Sequence, residues 1–508
     1  MNEAAGLTVL VESPLPDPLP VGRATAIYCA GRCWHRSRHV AALEIAVEGV
    51  RQPVRTAGMP RPDVYAEVHG PGWAGPTSPD DPEGHSYRSG FWVTLPIPAR
   101  PEPGSVDLRA VAQLEGGAEV TAPLGTLRVD ERQSPRPCPD VPACSEPCLI
   151  AICMATFEPD AALFKAQVDS IRRQTDDRWM CVISDDCSSP QNFERIRNAV
   201  GDDPRFLLSR APERLGYYRN FERALAMAPA EAELIALSDQ DDRWHPDKLA
   251  LLRDALRGGA GLAYSDQRLV RPDGRVLSET MWRGRRNNYT NMASMLIANT
   301  ITGAASLMRR EVADLALPFP LTPGLQFHDH WIAVVALAAG DVAYVDRPLC
   351  DYVQHPGAVL GRPDKGDGGG GRLAVLRGGE FDRWRQRYYF GYLAREIQAQ
   401  AALARCEGRL TGAKRSALRR YVDAQHSLTG PLWLAARGPL RALAGRGETK
   451  RTEWELVQGI LWRRLIAARA RREPWSGGKV LDAAYPPLEP TGFEQRGLRR
   501  WRASLRQD

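Results

Sequence analysis

Apolar residues are grouped differently in three parts of the chain. Between about residues 6 and 130 they form short strand-length segments at Leu7–Val11, Ala42–Val47, Gly90–Leu95 and Val106–Val111, separated by Pro/Gly-rich turns and without helical periodicity. Leu108, Ala110 and Ala112 alternate with Asp107 and Arg109, as expected for a half-buried strand. This pattern predicts an antiparallel β-sandwich. From residue 148 the runs become continuous: Cys148–Ala155, Trp179–Ile183 and Leu234–Leu237. Leu163, Ala166, Gln167, Ser170 and Ile171 recur between the first two at helical spacing. Strand, helix, strand in this rhythm predicts a parallel sheet with crossover helices. Beyond Gly366–Gly371, Ala, Leu and Arg dominate and helices are expected. The clearest begins at Thr452, which with Glu455 makes a capping box. Trp454, Val457, Leu461 and Leu465 line one face of it.

The predicted organisation is a sandwich over 1–130, a proline-rich linker over 131–147 and an α/β unit over 148–360. A Gly-rich linker over 361–379 and a basic α-helical region over 380–508 follow. Ordinary globular composition, 43% hydrophobic and 25% charged, excludes wholesale disorder. No apolar run approaches membrane-spanning length; 331–339 comes nearest. The acidic start, Met1–Ala5, lacks a basic segment followed by an apolar one, so a cytoplasmic location is expected. Among ten cysteines, Cys153, Cys181 and Cys350 sit in apolar runs as small buried hydrophobes. Cys29, Cys33, Cys138, Cys144 and Cys148 match no zinc spacing, so free thiols are expected.

The net charge of +6 is unevenly distributed. Residues 371–508 hold 28 Lys/Arg against 13 Asp/Glu, so the first 370 are net acidic. A basic end on an acidic body points to an anionic partner, either a phosphorylated acceptor or the inner face of the plasma membrane, contacted peripherally. For the helix at 452, docking on the protein's own surface is the simpler reading and membrane binding the other. No nucleic-acid partner is expected.

Candidate chemistry sits at the ends of the buried runs. Leu234–Leu237 leads into Ser238-Asp239-Gln240-Asp241-Asp242, and Trp179–Ile183 into Ser184-Asp185-Asp186. Carboxyl ends of parallel strands are where open α/β sheets bind ligands. Carboxylates so close repel one another unless a cation lies among them, and a hard divalent ion that also holds phosphates fits. One acidic loop alone reads equally well as solvated surface. Two at neighbouring strand ends point to a single nucleotide-diphosphate site.

Met154–Phe157, Ile183–Ser188, Tyr218–Leu225, Ala236–Trp244, Ile301–Ala304, Phe327–Trp331 and Tyr352–His355, in that order, resemble the motifs of a family 2 glycosyltransferase. Among its variants the bacterial rhamnosyltransferase-like group is most similar. The resemblance spans the α/β unit and implies a GT-A fold, Rossmann-like with a mostly parallel sheet. Pro60–Val64 with Ser89–Phe91 resembles an immunoglobulin-like module attached to bacterial carbohydrate enzymes. The resemblance implies a divalent metal, Mg²⁺ or Mn²⁺, held by Asp239, Asp241 and His355, with Asp241 the direct ligand. Asp185 and Asp186 would recognise base and ribose, and such acids suit uracil or thymine by accepting from N3–H. Thr156, Phe157 and Glu158 would edge the base, with Gln240 beside the donor. Arg219 and Asn220, at the start of a helix, would meet phosphate or else serve as helix-end polarity. Asp329 would be the catalytic base, with His328 standing where the usual Glu-Asp pair has Glu. Trp331, His328 and Gly303 would face the acceptor.

The implied function is inverting transfer of a hexose or deoxyhexose, rhamnose among them. The donor would be dTDP- or UDP-linked, and the acceptor a hydroxyl of a surface polysaccharide, lipopolysaccharide or lipid-linked glycan. A chain-extending polymerase, which normally carries membrane spans, is a competing reading. So is a metal-dependent phosphoryl-transfer enzyme, although a Walker-type loop is absent. The third is a glycan-binding protein with a degenerate transferase unit.

Overall fold

The computed structural model describes residues 2–4, 6–70, 78–131, 150–282, 287–323, 327–355, 379–445, 449 and 452–472. The expected linkers lie outside the described residues except for Glu131 and Gly379, as do Cys138, Cys144, Cys148 and everything after Arg472.

The amino-terminal module folds as two five-stranded sheets among the described residues, ending at Asp130. One runs in the order Asn2–Ala4, Leu7–Val11, Thr25–His35, Gly90–Ile97, Thr56–Met59. The other runs Leu19–Pro20, Glu119–Asp130, Gly104–Leu114, Val40–Val47, Val50–Pro53. Pairing is antiparallel except between Leu19–Pro20 and Glu119–Asp130. Ile27, Cys29, Phe91 and Leu95 of the first sheet pack on Ile45, Leu108, Ala110 and Leu127 of the second. Pro60–Val64, on which the immunoglobulin-like resemblance rests, instead enters the helix Pro62–His69. Pro62 supplies a preset φ in the first turn, and Gly70, at φ 87°, ends the helix in a conformation that favours glycine.

The α/β unit holds a nine-stranded sheet among the described residues. Its order is Phe206–Arg210, Trp179–Asp185, Ile150–Thr156, Leu234–Ser238, Ser306–Arg309, Leu262–Val270, Val342–Val353, Arg243–Trp244, with Val276–Ser278 on Leu262–Val270. The first four strands are parallel. The expectation of a mostly parallel sheet holds only there, because Ser306–Arg309 runs antiparallel to both its neighbours and makes the rest mixed. Helix Ala161–Arg172 starts from Asp160, whose carboxylate accepts from Ala162 N and Leu163 N. It buries Leu163, Gln167, Ser170 and Ile171 as predicted, while Ala166 is only half-buried. Cys153, Cys181 and Cys350 are buried and unbonded to other cysteines.

Helices Gly379–Gln386, Ala394–Arg405, Gly412–Asp423, Thr429–Leu443 and Thr452–Arg472 form the carboxyl-terminal region, with a π-helical stretch at Arg387–Leu393. None is long and apolar enough to cross a membrane among the described residues. The region packs on both other modules. Strand Thr25–His35 is buried along its whole length because its outward side chains Ala26, Tyr28 and Ala30, with Trp92, share a core with Tyr388, Tyr389, Trp462 and helix His328–Ala339. Trp92 Nε1 donates to Tyr388 Oη at 3.1 Å, and that hydroxyl donates to Gln425 at 2.8 Å. The expected capping box is replaced by another pairing: Thr452 Oγ1 donates to the Thr449 carbonyl, and buried Glu453 accepts from Arg437 at 2.7 Å. Nor do Trp454, Val457, Leu461 and Leu465 form one buried face. Val457 is buried, Trp454 and Leu465 are exposed, and Leu456, Ile460 and Ile466 complete the docked side. Arg463 turns inward to the Gln425 carbonyl at 2.7 Å.

A core shared by all three modules predicts one cooperative unfolding transition. Trp92→Ala, costing about 3–5 kcal/mol, should shift urea unfolding followed by sandwich and helix signals by the same midpoint change. Separate shifts would show the modules melt independently.

Candidate active site

Strand register levels the tips of the parallel sheet: Thr156 lies opposite Asp185 and Met154 opposite Ser238. The loops after these strands therefore share one edge. Gln240 binds its neighbour loop reciprocally, accepting from Phe157 N at 2.8 Å and donating to Phe157 O at 3.2 Å. Glu158 (φ 43°) and Cys187 (φ 59°) both sit in the left-handed region at this edge, a strain that persists only where surroundings over-determine it. Here they do. The Glu158 carboxylate accepts from Ser189 N, Ser189 Oγ and Asn192 Nδ2, contacts that pull its pKa down, the Ser189 amide foremost.

Asp185 and Asp186 shape the donor edge through backbone contacts. Asp185 is fully buried and accepts from Ser188 N at 3.0 Å, Ser188 Oγ at 2.5 Å and Thr156 Oγ1 at 3.2 Å. Asp186 takes Leu215 N at 2.6 Å and Gly216 N at 3.0 Å, and burial pushes its pKa up. The loop so held brings the Arg214 guanidinium 4.1 Å above the Phe157 ring, a cation-π stack at the end of the first strand.

Three sequence expectations are corrected. Arg219 donates to Glu222 and to the Phe319 carbonyl rather than reaching toward the strand tips. Asn220 is buried and ties two strands together, donating to Thr156 O at 3.2 Å and Ser184 O at 2.9 Å. Trp331 is wholly buried and donates to Ala316 O at 2.8 Å. Its position, two residues past Asp329 on an α-helix, points it into the core.

The carboxylates do converge. Asp239 feels the charges of both Asp241 and Asp329, and Tyr352 lies near all of Asp239, Asp241, Asp242 and Asp329. Burial, then Asp241 and Asp329, raise the Asp239 pKa to about 7. Burial raises Asp329 to about 6 against hydrogen bonds from His330 N, Gly303 N and Asn299. His355 Nε2 lies 2.8 Å from Asp241 Oδ2, which raises the imidazole pKa. Asp242 is fully buried and accepts from Val353 N at 3.2 Å, fastening the last strand. Lys248 donates to the Ala304 carbonyl, lies 3.2 Å from the Trp244 ring centroid, and is lowered by burial to about 7. His328 stacks on Phe221 at 3.6 Å, and burial lowers it to about 3, so it is neutral. Gly303 makes room for it: a Cβ there would meet His328 Nε2 at 2.9 Å and Asp329 Cβ at 3.4 Å. Gly303 thus positions the acid rather than lining open space.

Among the described residues no group of three or more His, Cys, Asp or Glu side chains is poised to enclose a metal ion. The donor set still fits a hard divalent ion. Asp239 and Asp241 supply oxygens, His355 is beside them, and such ions commonly complete their shell with substrate phosphates. Burial first, and then the neighbouring charges of Asp241 and Asp329, hold the Asp239 pKa up, and buried Lys248 offsets this only in part. Arg214, Asp242, Lys248, Tyr352 and Asn299 were given no role from sequence, although Asp242 and Tyr352 lie in quoted motifs. The run Asp239–Asp242 signalled Asp242, whereas a lysine on a helix face carries no mark of burial.

Residues 151–315 match the model of glycosyl transferase family 2. Asp185, Asp239 and Asp241 lie inside the matched segment, Asp329 and His355 beyond it. The uncharacterized protein y4gI of Sinorhizobium fredii is 30% identical over 122 residues, 23% of this chain and 13% of that protein's length. Among solved structures, the chain is similar to mannosyltransferase PcManGT from Pyrobaculum calidifontis in complex with GDP-Man and Mn²⁺. Identity is 18% and TM-score 0.37, covering 66% of this chain and 90% of that one. It is also similar to S. aureus TarS 1-349 in complex with UDP-GlcNAc, at 14% identity and TM-score 0.37, covering 64% and 91%.

The raised carboxylates carry a stability signature. A group whose folded pKa exceeds its unfolded value stabilises the fold below the unfolded pKa and loses that contribution as pH rises through the folded one. For Asp239 and Asp329 the loss falls between about pH 4 and pH 7. Asp239→Asn should therefore melt at a higher temperature than the parent at about pH 8, with the gap closing near pH 4. Equal melting at the higher pH would mean that no repulsion is stored there.

Proposed function

We propose that this protein is an inverting glycosyltransferase that moves a sugar from a dTDP- or UDP-linked donor to a hydroxyl of a cell-envelope glycan. The reading rests on one observation: Asp239, Asp241 and Asp329 meet at a single sheet edge within and beside the family 2 segment. The donor lies across the strand tips, its base against Phe157 and Arg214, its diphosphate toward Asp239 and Asp241. Thr156 Oγ1 and Asp185 hold that edge level. A divalent cation, Mg²⁺ or Mn²⁺, held by Asp239 and Asp241 with His355, would neutralise the departing diphosphate.

Asp329 removes the proton from the acceptor hydroxyl as its oxygen attacks the anomeric carbon in line, the carbon–diphosphate bond breaks, and configuration inverts. The Gly303 and His330 amides and the Asn299 side chain hold that carboxylate. A pKa near 6 keeps it ionised at neutral pH yet basic enough to accept a proton. The sugar is read as a hexose or deoxyhexose, with rhamnose suggested by motif resemblance. The acceptor is read as a polysaccharide, lipopolysaccharide or lipid-linked glycan. The setting is the cytoplasm, with the basic carboxyl-terminal region against the inner face of the plasma membrane.

Turnover of a panel of dTDP- and UDP-sugars with and without Mg²⁺ or Mn²⁺ tests the reading. Asp241→Ala should lose cation-dependent donor binding. Asp329→Asn should keep donor binding and lose transfer by at least about 100-fold. Near-normal turnover by Asp329→Asn would remove it as base. The rate should also fall as pH drops through about 6, where Asp329 becomes protonated and cannot accept. Gly303→Ala, by displacing His328 and Asp329, should lower kcat about 10–100-fold with donor affinity unchanged.

A further inference from the structure

A cavity of about 420 Å³ lies between the sandwich and the helical region, within the range of small-molecule sites. Its floor is the outward face of strand Gly90–Ile97, at Trp92 and Thr94. Its walls are helices Ala394–Arg405 and Gly412–Asp423. None of the residues placed in the catalytic cleft lines it.

Two observations point to a ligand. Thr94 Oγ1 and His426 Nδ1, both lining the cavity, are buried and have no hydrogen-bond partner among the described residues. Thr94 is only 7% exposed, and buried polar atoms are rarely left unpaired. The second is charge. Arg55, Arg415 and Arg419 line the cavity, and the side chains of Arg55 and Arg419 enter no hydrogen bond or salt bridge among the described residues. Arg415 donates to a main-chain carbonyl, that of Glu407, at 2.8 Å. Of the two lining glutamates, Glu396 is raised by burial to about 8 and is mostly uncharged at neutral pH, which leaves Glu407 to oppose three guanidiniums. His426 is lowered to about 3 by burial and by Arg463, Arg55 and Arg464, so its ring is neutral. Neutral groups that pair with hydroxyls thus stand beside cations that pair with an anion.

We infer that this cavity is a second carbohydrate site that takes an acidic sugar unit, a ring bearing one carboxylate or phosphate. The inference deepens the acceptor side of the proposed function and rests on that reading for its biological purpose. Binding itself stands apart from the cleft. An acceptor glycan held here by an acidic unit would be retained by the sandwich–helix junction while another part reaches the strand tips.

Isothermal titration of the full chain with glucuronate, glucose 6-phosphate, glucose and inorganic phosphate tests this. At least one acidic sugar should bind, and glucose should bind at least about tenfold more weakly, the value of one charge-assisted contact. The better acid identifies which anion the site reads. Arg55→Ala combined with Arg419→Ala, both exposed positions, should weaken the acidic sugar about tenfold or more, and Thr94→Val should weaken it with little change in melting temperature. Donor hydrolysis should be unchanged in all of them. No binding of either acid, equal binding of glucose, phosphate binding as tightly as the sugars, or indifference to the arginine substitutions would each overturn the inference. Arginine-dependent sugar binding without any donor hydrolysis would instead sink the transferase reading and leave this site standing.

Discussion

The guanidinium of Arg405 touches all three modules at once. From helix Ala394–Arg405 it donates to Ala24 O at 2.8 Å and Thr25 Oγ1 at 3.2 Å in the sandwich, and to Leu315 O at 3.1 Å and Ala316 O at 2.8 Å in the α/β unit. Its plane also lies 5.3 Å from the Trp331 ring. Burial lowers its pKa to about 10, so it stays charged. Without it the Ala24 and Leu315 carbonyls, both on half-buried residues, would lose this partner, at up to about 1–3 kcal/mol each. The Ala316 carbonyl is shared with Trp331 Nε1. The helix that begins at His328 and carries Asp329 is therefore referenced through one side chain to the sandwich and to the helical region.

The cleft, by contrast, is electrostatically unsettled. Four aspartates, Asp239, Asp241, Asp242 and Asp329, gather around Tyr352, and buried Lys248 faces only some of them. Their supports differ: main-chain amides for Asp242 and Asp329, His355 for Asp241, and little for Asp239 beyond its neighbours.

The strand tips were legible in sequence because an apolar run that ends abruptly in carboxylates marks a buried strand emerging at a charged edge. The same logic marked Asp239 and Asp241; Asp329, in the first turn of a helix, was named only by the motif resemblance, which overreached elsewhere along the chain. A motif names positions, whereas helix phase decides direction. Asn220 and Trp331 look inward from helices whose opposite faces were expected to meet substrate, and Arg219 is captured by Glu222. The mixed half of the sheet was not legible, since direction across a long connection leaves no local trace. Nor was the shared core. Thr25–Ala30 was not among the segments marked as strands, and only the helices packed over Tyr28 and Trp92 show why both of its faces are apolar.

The unbroken core beneath Trp92 also bears on how such a chain arises. A front module joined only by its linker can be exchanged between lineages like a bead on a cord. Here an incoming sandwich would have to present the contours that Tyr388, Tyr389 and Trp462 already fit. The accessory part and the helices behind it are thus bound to be inherited, and to drift, as a matched set.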